Sequence, residues 1–322
     1  MKPEERMAWL AERKQGIGGS EAAAILGLSP WQTPTTVWLD KTGRSAPKEE
    51  TDAMWWGTEL EETVARRYTL ETGRQVQRYN KMIHQGCLLG NFDRLVIKEG
   101  EKVASHMGEI RTDLLLECKT ANCAPWDEVP LYYQTQVQHY MGLAPELQHA
   151  DVACLFYAGR RFGIYRVERD QETIDFMREK LTAWWEKHIV RDEMPAPTCE
   201  LDCKLLWSRS TRGSTILVTD EIKAKLDAFQ TAKAAEKAAQ AEATAAQNDI
   251  ETFMGDKEVI VDAMGIPLCT WKTPDKDRTS TDWEAIAREL GATQEMISKH
   301  TTSEPGARRF LPKASKGKKD AA

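Results

Sequence analysis

The chain has no apolar run approaching the ~20 residues that a membrane-spanning helix needs. Its opening, Met1-Lys2-Pro3-Glu4-Glu5, also lacks the apolar core of a secretory signal. Both absences lead us to expect a cytoplasmic protein without membrane association. Histidine is scarce, with six residues and no HExxH pattern, which excludes the two-histidine helical zinc-hydrolase signature. A positive excess is missing as well: 44 Lys and Arg against 50 Asp and Glu leave a net charge of -6. No global field therefore draws nucleic acid, and any DNA contact must come from local clusters of Lys and Arg. The seven cysteines are odd in number and scattered, which fits reduced thiols better than a disulfide framework. At 322 residues the chain is long enough for a full core, in one large domain or two.

What is present is organised around Leu114-Leu115-Leu116-Glu117-Cys118-Lys119-Thr120-Ala121. A run of leucines reads as a strand buried on both faces, yet it ends in a carboxylate, a thiol and an amine, which burial penalises. Residues i and i+2 of a strand share a face, so Glu117 and Lys119 point one way and Cys118 the other. A carboxylate and an ammonium side by side at a strand end suit a divalent cation and a steered water.

Upstream, residues 4–15 read as a helix with Trp9 and Leu10 inward, running into Gly16-Ile17-Gly18-Gly19-Ser20-Glu21. Ala22 to Leu26 is a strong helix former for which Ser20 is the expected N-cap, and Arg13 lies just before it. Glycines, free helix N–H groups and a guanidinium make a phosphate-site pattern, although a plain capped helix is the commoner source of such a motif standing alone. Residues 54–72 form the next helix, with Trp55, Trp56, Leu60, Val64 and Tyr68 as its apolar repeat. Its Glu59, Glu61 and Glu62 read by spacing alone as a solvated face. Short strands follow over 75–79, 81–84 and 87–97, the last interrupted by Asp93 among apolar neighbours. If that strand pairs with 114–119, Asp93 meets Glu117 across a metal. The polar stretch 98–112 reads as a long loop or hairpin.

After Lys119, residues 132–141 read as a helix whose stripe carries Tyr133, Gln136, Val137 and Tyr140. Strands at 151–157 and 162–168 form a hairpin. A helix over about 171–190 closes the unit before Pro195-Ala196-Pro197. Residues 220–252 are an Ala-, Lys-, Glu- and Gln-rich exposed helix. A second hairpin over 258–262 and 268–272 and a basic end containing Arg308, Arg309, Lys313 and Lys316 complete the chain. We expect a core at 1–198 and an extension at 199–322.

Asp93 followed by Glu117-Cys118-Lys119 at the end of an apolar strand, with a Gln-bearing helix after it, resembles the PD-(D/E)xK nuclease superfamily, with Phe92 in the place of its proline. Trp9-x3-Arg13, Ile17-Gly18-Gly19-Ser20-Glu21, Trp56-Gly57-x3-Glu61, Glu117-Cys118-Lys119 and Gln136-x-Gln138 follow the order found in lambda-exonuclease-like enzymes. The chain is most similar to the YqaJ-like phage recombination exonucleases, over roughly residues 5–190. The resemblance implies an α/β fold with a central mixed sheet flanked by helices, a restriction-endonuclease-like core, and a C-terminal helical and hairpin extension. It implies a nuclease of phage or prophage origin that digests one strand of linear duplex DNA from a 5′ end, leaving a 3′ overhang for a single-strand annealing protein. Asp93 and Glu117 are then ligands of Mg²⁺, for which Mn²⁺ is a substitute. Lys119 orients or activates the water, Gln136 holds that water or Lys119, and Glu61 is a further metal-site carboxylate. Arg13 and Ser20 grip the 5′ phosphate, and the assembly is a homotrimer. Asp93 and Glu117 stand 24 positions apart, a longer spacing than in lambda exonuclease, and Asp113 lies nearer in sequence, so the sequence leaves open which aspartate completes the site. Only Cys199 and Cys203 follow the Gln motif closely, too few for the iron–sulfur cluster of RecB-like relatives. Two alternatives stay open: a nuclease of the same core with another polarity or endonuclease action, and a non-catalytic DNA-end-binding scaffold.

Overall fold

Alternation along one buried strand sets the architecture. The computed structural model describes residues 9–45, 51–98, 109–273 and 280–302. Strand β5 (Leu114–Ala121) lies at the centre of a five-stranded sheet, between β4 (Arg94–Val96) and β6 (His149–Phe156), with β1 (Val76–Gln77) and β7 (Arg161–Glu168) at the edges. β5 runs parallel to β6 and antiparallel to β4, so the sheet is mixed. A parallel neighbour requires a crossover, and helix α4 (Leu131–Leu143) supplies it.

Leu114 and Leu116 pack with Val64, Ala65 and Tyr68 of helix α3 (Asp52–Thr72) on one face. Leu115 packs with Val137 and Met141 of α4 on the other. The sheet is thus covered by helices on both sides, in the α/β arrangement expected. Helix α1 (Gly19–Ile25) packs on α4, and α2 (Pro34–Lys41) packs beside α1. The segment before α1 is tied to β3 (Leu88–Gly90), because the Ile17 N–H donates to the Cys87 carbonyl at 2.7 Å and the Leu89 N–H to the Ile17 carbonyl at 2.8 Å. β3 pairs with β2 (Ile83–Gln85) in a separate hairpin, and α5 (Gln171–Trp185) continues into a π-helical turn over Glu186–Val190.

Several expectations change. Residues 87–97 are two strands rather than one, broken at Asn91-Phe92-Asp93, so that β3 and β4 belong to different sheets. Leu10 is exposed; Trp55 and Trp56 are exposed as well, because α3 meets the sheet only through its second half. The N-cap of α1 is Gly18, not Ser20: the Glu21 carboxylate accepts the Gly18 N–H at 2.8 Å, and Ser20 stands exposed in the first turn. All seven cysteines are free thiols. No described helix is long and apolar enough to cross a membrane. Residues 99–108 and the basic end fall outside the described residues.

The chain divides into two compact units, Met1–Leu206 and Trp207–Ala322. The first includes helix α6 (Glu200–Leu206), whose buried Asp202 accepts hydrogen bonds from the Thr33 hydroxyl at 2.5 Å and the Thr198 N–H at 2.7 Å. The second contains α7 (Asp220–Met254), a hairpin of β8 (Val259–Val261) and β9 (Pro267–Thr270), and two short helices, α8 (Trp283–Glu289) and α9 (Gln294–Lys299). Along α7 only Met254 is buried, so this helix has no apolar stripe committed to a core.

Candidate active site

The register between β4 and β5 assembles the charged centre. Arg94 lies opposite Leu116 and Leu95 opposite Leu115, which puts Asp93, one step before β4, beside Glu117. The Asp93 carboxylate accepts the backbone N–H of Cys118 at 2.8 Å. Asp113, just before β5, is four residues back from Glu117, roughly 13 Å away at strand rise. There it pairs with Lys98 at 3.2 Å, which with its own backbone holds its pKa below the usual carboxylate value despite some burial. The choice between the two aspartates is therefore made by strand geometry: Asp93 lines the cleft with Glu117, and Asp113 lies at the other end of the strand.

Glu117 and Lys119 share the face of β5 that looks toward α4, while Cys118 turns to the α3 side. Lys119 Nζ donates to Glu117 Oε1 at 2.6 Å and to Gln136 Oε1 at 3.1 Å. Gln136 Nε2 donates to the same Glu117 oxygen at 2.6 Å and to the Tyr140 hydroxyl at 3.0 Å. The Lys119 ammonium also sits over the Tyr133 ring, 4.8 Å from its centroid. Gly19 makes this packing possible: a Cβ there would fall 2.7 Å from Tyr140 and 2.9 Å from Gln136. Periodicity placed Tyr133, Gln136 and Tyr140 on one stripe, and the polar site lies beneath it.

Burial first, and then repulsion from Glu117, push the Asp93 carboxyl well above its ordinary pKa. Burial likewise raises Glu117, against the pull of Lys119 and Gln136. Burial also works against the Lys119 ammonium, but Glu117 and Asp93 together outweigh it and hold the lysine pKa above its usual value. Burial pushes the Tyr133 phenol up to about 12. The centre is therefore short of positive charge. Glu117 is 2% exposed, and its Oε2 atom has no hydrogen-bond partner among the described residues, which is costly for a buried carboxylate oxygen.

These features fit a hard divalent cation. Two adjacent carboxylates, one with an unpartnered buried oxygen, supply the oxygen donors that Mg²⁺ uses when water and substrate phosphate complete its shell. The full three-carboxylate set is not gathered: among the described residues no three His, Cys, Asp or Glu side chains form a ready metal cage. Glu61 lies on the cleft wall, but its Oε1 accepts from Arg94 Nη1, while Arg94 Nη2 donates to Glu62 at 2.9 Å. Arg94 is 3% exposed and also donates to the Asp93 carbonyl at 2.6 Å, so it fixes both Asp93 and Glu61. Arg94 was not singled out in the sequence, and its partners 32 and 33 residues earlier could not be read from it.

The cleft encloses about 540 Å³ and also takes in Arg13 and Ser20. Arg13 lies over the Trp9 ring at 4.9 Å and pairs with Glu21 at 3.5 Å. Beneath them is a residue not singled out in the sequence: Lys41, whose buried ammonium contacts Glu21 at 2.7 Å and the Arg13 carbonyl at 2.7 Å. Burial lowers its pKa, and Glu21 opposes that shift. The paired Glu21 and the Arg13 carbonyl together make a buried lysine tolerable, and neither Glu21 nor Lys41 reveals the other in sequence.

A profile of the YqaJ-like viral recombinase domain matches residues 8–145, which span every residue of this centre. The chain is also 32% identical over 267 residues to the uncharacterized protein YqaJ of Bacillus subtilis (strain 168), covering 79% of each. The chain belongs to the YqaJ-like family. Among solved structures, this YqaJ-like chain is similar to an alkaline exonuclease, LHK-Exo, from Laribacter hongkongensis, with 19% identity, a TM-score of 0.43, and coverage of 57% of this chain and 93% of that one. It is also similar to a phage related exonuclease from Haemophilus somnus 129PT, with 14% identity, a TM-score of 0.41, and coverage of 55% and 96%.

Proposed function

We propose that the chain is a divalent-metal-dependent exonuclease that digests one strand of linear duplex DNA from its 5′ end and leaves 3′ overhangs for recombination. The observation that carries this reading is the buried, unpartnered Glu117 Oε2 beside Asp93, with Lys119 and Gln136 fixed on the other Glu117 oxygen. Membership in a family described as viral recombinases supports the same setting.

Asp93 and Glu117 would hold Mg²⁺, or Mn²⁺ in its place. The cation would supply a water of lowered pKa and stabilise charge on the phosphate in the transition state. Lys119 has its pKa raised, so it stays an ammonium near neutral pH and serves as a donor that orients the water and the phosphate. Gln136 anchors Lys119 and Glu117 together, and it is itself placed by the contact of Gly19 with α4. Glu61, whose Oε1 accepts from Arg94 on the cleft wall, would be a further carboxylate near the metal. Arg13 would meet the terminal phosphate, with Ser20 exposed beside it. A trimer around the DNA and an annealing protein at the overhang complete the proposal.

The test uses linear duplex labelled at the 5′ or 3′ end, with and without a 5′ phosphate, in Mg²⁺ and in EDTA. We expect release from the 5′ end, faster with the phosphate and abolished by EDTA, while Lys119→Ala loses cleavage by a thousandfold or more and still binds DNA. Cleavage that persists in Lys119→Ala removes the site assignment. Equal digestion of closed circular DNA indicates endonuclease action instead.

A further inference from the structure

Trp31 is the feature of the cleft that hydrolysis does not use. It lines the same cleft as Glu117 and Lys119 and is 65% exposed. A single exposed tryptophan means little by itself. This one, however, is fixed at both ends. Ser29 Oγ accepts the N–H groups of Trp31 at 3.2 Å and Gln32 at 3.3 Å, which sets the turn. Tyr132 then braces the indole edge-on, with ring centroids 4.9 Å apart and an interplanar angle of 78°. An aromatic surface held ready in this way loses little entropy on meeting a ligand.

The indole is also linked to the charged centre. Its ring lies 6.2 Å from that of Tyr133, tilted by 37°, and Tyr133 holds the Lys119 ammonium at 4.8 Å. The distance from the lysine to the open aromatic ring is thus no more than these two separations laid end to end. A nucleotide whose phosphate meets Lys119 carries a planar base on the same sugar, and any base can stack on an aromatic ring whatever its sequence. Inside a duplex both faces of a base are covered by its neighbours, so only an unpaired or terminal base can offer one.

We infer that Trp31 is a stacking platform for an unpaired nucleobase of the strand being cut, and so a positioning residue for the phosphate at Glu117 and Lys119. The inference rests on the nuclease reading of this cleft. Two measurements on the full chain test it. First, kcat/KM is compared on linear duplexes whose cut-strand terminal nucleotides are either natural or abasic. Trp31→Ala should lose about tenfold on the natural substrate, as for one base–aromatic stack. Trp31→Phe should recover most of that loss, and wild type and Trp31→Ala should cut the abasic substrate equally. An equal fold-loss on both substrates overturns the inference. Second, in EDTA, a single-stranded oligonucleotide bearing 2-aminopurine near its phosphorylated 5′ end is bound to saturation. Wild type should quench its fluorescence more than Trp31→Ala does, and equal quenching overturns the inference. If wild type cuts no linear DNA in Mg²⁺, the nuclease reading fails while the quenching comparison still decides the role of Trp31. An unchanged Tm for Trp31→Ala shows that the exposed side chain is not needed for folding.

Discussion

Asp93 shows at a single residue how a functional site works against the fold that holds it. Its carboxyl is raised by burial and by Glu117, so ionising it costs stability when no cation is bound. Because the folded pKa lies above the unfolded one, the stabilising contribution is complete below the ordinary carboxylate pKa. It is lost as pH rises through the folded value. Asp93→Asn, which keeps an oxygen for the Cys118 N–H, should therefore raise Tm in EDTA at pH 7 by a few degrees. Near pH 3.5 it should leave Tm unchanged, and it should abolish cleavage in Mg²⁺. Thermal melts by circular dichroism at the two pH values check this; a lower Tm at pH 7 would mean that the charge is already compensated. That Glu117 and Lys119 share a face and that Gln136 lies on a buried stripe could be read from the sequence, because strand alternation and helical spacing fix which way each points. Arg94 and Lys41 could not, because their partners are set by packing between elements distant in sequence.

At the scale of elements, α3 is fastened to the sheet through a buried carboxylate. Asp151 on β6 is 2% exposed and accepts from the Tyr68 hydroxyl at 2.6 Å, from Arg166 across the β6–β7 ladder, and from Arg74 at 3.2 Å. Burial, with Asp151 second, pushes the Tyr68 phenol up to about 12, so tyrosine remains a donor to the carboxylate throughout the neutral range. Asp151→Ala strands three donors at once. Because Arg74 and Arg166 still reach water, the cost belongs at the lower end for a broken buried pair, about 3 kcal/mol. Urea denaturation measures it, and a loss below ~1 kcal/mol would show that α3 is held by its apolar face alone. Hydrophobic spacing located α3 itself. Its exposed first half was misread because periodicity does not report how far a sheet extends beneath a helix.

For the whole molecule, the charged centre and all its supports lie in the first compact unit. A chain ending at Leu206 should keep the cleavage chemistry and the main thermal transition. A chain ending at Thr198 loses Asp202 and its hydrogen bonds to Thr33 and Thr198, which should cost about 1–2 kcal/mol and several degrees of Tm. Scanning calorimetry of the two chains separates these outcomes, and equal transitions would show that α6 adds nothing to the unit. Association at a trimer or with an annealing partner can be followed by sedimentation of the full chain and of the chain ending at Leu206. Retained assembly in the shorter chain would free residues 207–322 from that role.

The sequence by itself determined the local directions: an apolar strand ending in Glu117 and Lys119 on one face, a helix with Gln136 on a buried stripe, and an exposed Ala-rich helix. Those follow from periods of two and of 3.6 residues, which are properties of the backbone. Only the tertiary structure decided that Asp93 rather than Asp113 stands beside Glu117, that Glu61 is taken by Arg94, and that Gly18 rather than Ser20 caps α1. Each of these is a choice between competing partners, and the choice depends on strand register and interhelical distance, which chain spacing does not encode.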